Sequence, residues 1–189
     1  RHRLLLPCQN YYCDLFLNLL LISNHFFAML SRMKYIYRWG LMRNTTRESL
    51  SEHSFEVALV AHAIAVINNE KFGGDADPNL CATAALFHDT SEIITGDMPT
   101  PVKYHNPEIR DAYKKVEKIA EDKLISMLPS DMQNTFTALY ETNEQTQKII
   151  KAADRISALI KCIEETEMGN KEFKAAKESI LESIKALKM

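Results

Sequence analysis

Phe87-His88-Asp89-Thr90-Ser91-Glu92 ends an apolar run containing Cys81, Ala82, Ala84, Ala85, Leu86 and Phe87, and how that run is read decides the fold. It lacks the strict alternation of a half-buried strand and reads as a buried helix. His88 and Asp89 then emerge where burial gives way to a cleft, and Gly96 is expected to close the helix as its C-terminal cap. Residues three or four apart share a helix face, so Glu92 falls near both His88 and Asp89. An imidazole beside a carboxylate suits a divalent cation of borderline hardness, and a neighbouring carboxylate that is not a ligand can move protons. A lone His-Asp doublet also arises by chance, so a metal site requires further ligands from elsewhere in the chain.

Working outward, every other periodic segment is helical. Before the doublet, Phe26, Phe27, Met29, Leu30, Met33, Ile36 and Tyr37 recur at helical spacing and predict an amphipathic helix over residues 25–37. Ser49-Leu50-Ser51-Glu52 has the form of a capping box and opens a long apolar helix that Phe72-Gly73-Gly74 ends. That cap puts His53 in the first helical turn, where the electropositive helix end favours the neutral, metal-binding imidazole. His62 lies about 180° around the same helix, so it cannot share a site with His53. Asp77-Pro78 starts the helix that carries the doublet.

After the doublet, Pro99 and Pro101 predict a stiff, non-helical loop over residues 97–102. Asn106-Pro107 starts a charged helix with Tyr113, Val116, Ile119, Ala120, Leu124 and Met127 on its apolar side. Capping boxes are predicted at Ser130-Asp131-Met132-Gln133 and Thr142-Asn143-Glu144-Gln145, and Gly169 ends the second of these helices. Its apolar stripe reads Ile149, Ala153, Ile156, Ile160 and Ile163, and residues 171–189 form a last charged helix. No segment shows strand alternation or an internal repeat, so the chain is expected to be all-α.

A chain of 189 residues with 46% hydrophobic content can bury one sizeable core, which points to a single domain. The net charge of -2 gives no broad basic field, which argues against a dedicated nucleic-acid binder but not against a small phosphate ligand. Cys8, Cys13, Cys81 and Cys162 have neither zinc-knuckle nor disulfide-framework spacing, which fits a reducing cytoplasm. Residues 15–22 form an apolar run too short to span a bilayer, so no membrane segment is expected, and residues 1–24 are read as an atypical extension outside the functional unit.

Some polar residues stand out at this stage, each with a bland alternative. Arg38 suits a bidentate grip on phosphate and Trp39 can wall a sugar or base, while taken alone a surface salt bridge and a core plug are the commoner roles for such residues. Asp97 and Thr100 can hydrogen-bond a ligand's hydroxyls or simply form a turn. Asp154 sits beside the apolar stripe and needs a partner, either a cation or a side chain such as Lys151.

Taken together, His53, His88-Asp89 and Asp154 on separate helices of an all-α chain resemble the HD-domain metal-dependent phosphohydrolases. Arg38-Trp39-Gly40-Leu41-Met42-Arg43-Asn44, Ser51-Glu52-His53-Ser54, Phe87-His88-Asp89-Thr90-Ser91-Glu92 and Thr95-Gly96-Asp97-Met98-Pro99-Thr100-Pro101-Val102-Lys103-Tyr104 are similar to the bacterial 5'-deoxynucleotidases of the YfbR type. The resemblance implies an HD-domain helical bundle over residues 25–189, one that stops short of the family's C-terminal tail. It implies hydrolysis of deoxyribonucleoside 5'-monophosphates to deoxynucleoside and phosphate, in a cytoplasmic homodimer with no nucleic-acid polymer or membrane as partner. His53, His88, Asp89 and Asp154 would hold a divalent cation such as cobalt or manganese. Glu92 would assist proton transfer and Arg38 would orient the phosphate. Trp39, Asp97, Met98, Pro99 and Thr100 would surround the sugar, with His53 and Asp89 also facing the substrate. The rival expectations are an HD phosphohydrolase for another phosphoester, such as a nucleoside triphosphate, a cyclic dinucleotide or an alarmone, and a non-catalytic helical module that senses nucleotide.

Overall fold

The computed structural model describes residues 24–187, so the apolar run at 15–22, Cys8 and Cys13 lie outside the described residues. Within them the chain forms α1 (Asn24–Leu30), a 3₁₀ turn (Ser31–Tyr35), α2 (Leu50–Phe72), α3 (Pro78–Phe87), α4 (Glu92–Thr95), α5 (Thr100–Lys103) and α6 (Pro107–Ile125). There follow α7 (Ser130–Tyr140), α8 (Glu144–Glu167), a second 3₁₀ turn (Lys171–Phe173) and α9 (Lys174–Lys185). The all-α expectation holds, and among the described residues extended pairing is limited to an isolated bridge between Tyr37 and Ser49.

The centre is α2 packed on α3 and α8. Val57, Ala58, Ala61 and Ala65 of α2 meet Cys81 and Ala85 of α3 and Ile149 and Ala153 of α8 in one buried cluster. These small side chains let the helix backbones approach closely, which brings residues at the helix ends within reach of one another. By length and composition α2 could cross a bilayer, yet part of its surface forms this core. A second cluster joins Phe26 of α1 to Leu124 of α6 and to Leu128, with Phe87 and Phe136 against it. Phe136 meets Phe26 and Phe87 edge to face, so α1, α3 and α7 lock together around one ring.

Local chemistry explains most boundaries. Ser49 and Glu52 form the expected capping box at α2, and Gly73 ends that helix in the left-handed conformation. Asp77 caps α3 ahead of Pro78, and Asn106 caps α6 ahead of Pro107. Other boundaries differ from expectation. The helix carrying the doublet stops at Phe87, and Gly96 caps only the short α4. Residues 25–37 hold α1 and a 3₁₀ turn rather than one helix, and the described part of the expected last helix splits into a 3₁₀ turn and α9.

Pro99 and Pro101 permit a helical turn, because a proline in the first turn sacrifices no intrahelical hydrogen bond. Pro129 rather than Ser130 precedes α7, without a side-chain cap, and Asn143 rather than Thr142 caps α8. The inward face of α8 keeps Ile149 and Ala153 of the expected stripe and then rotates: Ser157, Ala158, Lys161, Cys162 and Glu165 are buried, while Ile160 and Ile163 are exposed. On α6, Val116 and Ile119 likewise face outward, leaving Tyr113, Ala120 and Leu124 in the core.

Candidate active site

Each predicted metal ligand is placed by a separate local device. His53 follows the capping box of α2 and is fully buried. His88 and Asp89 occupy the turn between α3 and α4, whose shape is held by hydrogen bonds from Thr90 N to Phe87 O and from Glu92 N to Asp89 O. Thr90 Oγ1 donates to Phe87 O at 2.8 Å, so Tyr140 Oη donates to Thr90 Oγ1 at 2.6 Å and pins the turn to α7. Asp154 projects from α8, which packs directly on α2.

These side chains converge. Donor atoms of His53, His88 and Asp89 all lie within 4.8 Å of one another. Asp154 borders that group through its Oδ1, 3.1 Å from His53 Nε2, and Asp89 Oδ2 lies 3.7 Å from the same nitrogen. The alternative partner for Asp154, Lys151, is exposed, and His53 takes its place.

The imidazole contacts test whether the group fits a cation. His88 Nδ1 is 2.6 Å from the carbonyl oxygen of Ala85, which only accepts, so Nδ1 carries a proton. In the neutral ring Nε2 is then bare; it is buried, has no aligned hydrogen-bond partner, and faces Asp89 Oδ2 at 3.1 Å. For His53, Ser157 Oγ donates to Glu56 Oε2 at 3.1 Å and therefore accepts from His53 Nδ1 at 3.2 Å. That leaves His53 Nε2 facing Asp154 and Asp89. Nitrogen lone pairs aimed at carboxylate oxygens repel unless positive charge lies between them. Two imidazole nitrogens and two carboxylates so arranged fit a divalent cation.

The local field makes the same demand. Burial opposes a charge on His88, yet Asp89 and Asp154 raise its pKa to about 9. Burial likewise opposes ionisation of Asp89, but His88 and Arg38 hold its carboxyl well below the usual range. Glu92 is pushed up to about 9 by burial and then by the charges of Asp89 and Asp97. Its Oε2 is buried without a hydrogen-bond partner, so this carboxyl is poised to carry a proton beside the cluster.

The opposite wall is built from Arg38 and Trp39. Arg38 Nη1 lies 3.2 Å from Asp89 Oδ2 and Arg38 Nε lies 3.3 Å from Glu48 Oε2, so the guanidinium spans both residues. Trp39 is the one non-glycine among the described residues with positive φ, at 63°. Its backbone N–H donates to Asp97 Oδ2 at 3.1 Å and its Nε1 donates to Glu48 Oε2 at 2.7 Å. Met98 and Pro99 are half-buried in the segment after Asp97, and Thr100 is exposed at the start of α5. Tyr113 donates to Gly96 O and Lys103 pairs with Glu117, fastening that segment to α6. The structure thus brings Arg38, Trp39 and Asp97 to the cluster's edge, while Met98, Pro99 and Thr100 contribute through the segment Asp97 begins.

Sequence reasoning missed Glu48, Ser157 and Glu56. Ser157 left a signal: a hydroxyl one turn after Asp154, among alanines of a buried face. Glu48 left none, because it precedes a helix and belongs to no periodic pattern.

The bundle and its His-Asp turn define an HD-domain protein. A solved HD-domain phosphohydrolase from Listeria innocua matches with a TM-score of 0.75 at 28% identity, covering 84% of this chain and 77% of that one. The HD phosphohydrolase DatZ of cyanophage S-2L, bound to dA and one catalytic Zn2+ ion, shares the fold with a TM-score of 0.60 at 20% identity, covering 84% and 81%. Residues 25–189 match the model of the 5'-deoxynucleotidase YfbR-like family, and the chain belongs to it. The 5'-deoxynucleotidase yfbR of Photorhabdus temperata is 49% identical over 166 residues, which are 86% of this chain and 84% of that protein.

Proposed function

We propose that this protein hydrolyses deoxyribonucleoside 5'-monophosphates to deoxynucleoside and phosphate. The observation that carries the reading is the convergence of His53, His88 and Asp89, with Asp154 at their edge, beside the Arg38 guanidinium and the buried Glu92 carboxyl. Family membership directs it to the nucleotide 5'-monophosphate class.

His53, His88, Asp89 and Asp154 would hold the cation, and the mixed nitrogen and oxygen donors suit cobalt, manganese, zinc or a similar divalent ion. When bound, such an ion supplies Lewis acidity to the phosphoryl oxygens and lowers the pKa of a water molecule. Arg38 offsets charge on the phosphoryl oxygens and orients them for in-line attack, its guanidinium held at Asp89 and Glu48. The Glu92 carboxyl, buried beside the donor cluster with Oε2 unpartnered, supplies or accepts a proton during turnover. Trp39, Asp97, Met98, Pro99 and Thr100 close on the sugar, where a near wall penalises a 2'-hydroxyl.

Residues 25–189 act as one HD domain. The exposed Phe55, Leu59 and Val66 on α2 and Ile160 and Ile163 on the neighbouring α8 support a homodimer that covers them. The reaction belongs to the cytoplasm, with no nucleic-acid polymer or membrane as partner. The deciding experiment measures phosphate release from dAMP, AMP, dATP, a cyclic dinucleotide and an alarmone with added Co2+ or Mn2+. Metal-stimulated turnover of dAMP above all others is expected. Preference for another phosphoester transfers the site to that substrate, and nucleotide binding without phosphate release makes it a sensor.

A further inference from the structure

Trp39 adopts a backbone conformation that an L-residue with a bulky side chain visits rarely unless its surroundings enforce it. Its backbone is held by Met42 N–H donating to Trp39 O at 2.9 Å and by its own N–H donating to Asp97, and its side chain by two further residues. Glu48, buried and facing His53, accepts from the indole Nε1 at 2.7 Å and from Arg38 Nε at 3.3 Å through a single oxygen, Oε2. One carboxylate oxygen therefore fixes the indole and the guanidinium relative to each other. Behind the indole stands Phe173, fully buried, with its ring centroid 5.2 Å away at a tilt of 56°. Lys161 Nζ is 5.7 Å from the centroid of the Phe173 ring, and Lys161 is itself paired with the buried Glu165. The Phe173 ring is thus seated by an ion pair on α8 while it supports the indole.

We infer that Glu48 and Phe173 are positioning residues for sugar selection: together they hold Trp39 in its left-handed conformation, with Arg38 in register beside it, so that the indole stands as a fixed wall. This inference rests on the monophosphate hydrolysis proposed above. A hydrogen bond along the indole edge and an aromatic support behind it fix orientation as well as position. A tryptophan free to relax would still line the site, but it would yield to one additional hydroxyl group instead of excluding it.

The test uses Glu48→Gln and Phe173→Leu in the full chain. Trp39 is the single tryptophan, so its fluorescence reports this wall directly. Each variant should shift the Trp39 emission, increase its quenching by acrylamide and lower the ratio of kcat/KM for dAMP over AMP by about tenfold or more. In Phe173→Leu most of that change should come from improved use of AMP, whereas Glu48→Gln should also lower dAMP turnover because Arg38 loses one of its two carboxylate partners; bound metal per chain should stay at the wild-type level in both. Circular dichroism and the melting temperature identify a variant that has lost the fold, in which case Glu48→Asp or Phe173→Met replaces it. Unchanged emission, or changed emission with an unchanged dAMP over AMP ratio, overturns the inference. Absence of wild-type turnover on either nucleotide overturns the proposed function instead, and the emission data then still decide whether these residues hold the indole.

Discussion

On one wall of the site, His53, His88, Asp89 and Asp154 project from helix ends, a tight turn and a helix face that the central core holds together. On the other, Arg38 and Trp39 ride on a segment with little regular structure, fastened from outside by the C-terminal region. Glu165 accepts from the backbone N–H groups of Thr45 and Thr46, and Lys161 donates to Thr46 O. Asn170 donates to Arg43 O, and Arg43 N donates to Glu172. Donor atoms on the first wall need only packed helices with their caps in order. The second wall needs a network of polar contacts linking residues far apart in the chain, buried around Lys161 and Glu165, and a buried network is costly to leave partly satisfied.

The first wall should break most completely. Asp89→Asn removes charge from a residue that faces His53, His88 and Arg38, so it should reduce phosphate release to background and abolish stoichiometric metal binding, measured by equilibrium dialysis. Glu92→Gln should retain the metal yet lower kcat by about 10²-fold or more, because the proton-carrying carboxyl is gone while the donor set remains. Unimpaired turnover would assign proton handling elsewhere. Ser157→Ala should weaken metal affinity by roughly 10–100-fold in a chelator competition, since His53 Nδ1 then loses its hydrogen-bonded acceptor and faces only Glu48 Oε1 at 3.7 Å.

The second wall should fail more gently and in a pH-dependent way. Burial opposes ionisation of Glu165, but Lys161, the N–H groups of Thr45 and Thr46, and Asn170 hold its pKa below the usual carboxylate range. A depressed folded-state pKa contributes stability that is fully present above the unfolded value, about 4.3, and is lost as pH falls from there through the folded value. Glu165→Gln should therefore melt below wild type at pH 7. The gap should narrow as pH drops beneath about 4. A gap independent of pH would mean that packing, rather than charge, fastens this segment.

Legibility in the sequence divides along the same line. Ser49 with Glu52, Asp77 with Pro78, and Asn106 with Pro107 announce their helices because a cap is a local contract between near neighbours. His53, His88 and Asp89 follow from those boundaries once helices are packed. The rotation of α8 was hidden, because spacing continues the stripe from Ile149 and Ala153 into isoleucines, whereas the structure buries Ser157 and the Lys161–Glu165 pair. An ion pair that neutralises itself inside the protein looks, in sequence, like a solvated helix face. Glu48 and Phe173 were hidden for a similar reason: their partner Trp39 is reached only through the tertiary fold.

The central claim is that one dication sits among His53, His88, Asp89 and Asp154. Anomalous diffraction from a crystal grown with Mn2+ or Co2+ tests it directly. One strong peak per chain is expected, bonded to His53 Nε2, His88 Nε2 and carboxylate oxygens of Asp89 and Asp154, at distances of about 2.0–2.3 Å. A peak bonded to other residues, or a metal-loaded and active enzyme with no density between these side chains, would contradict it.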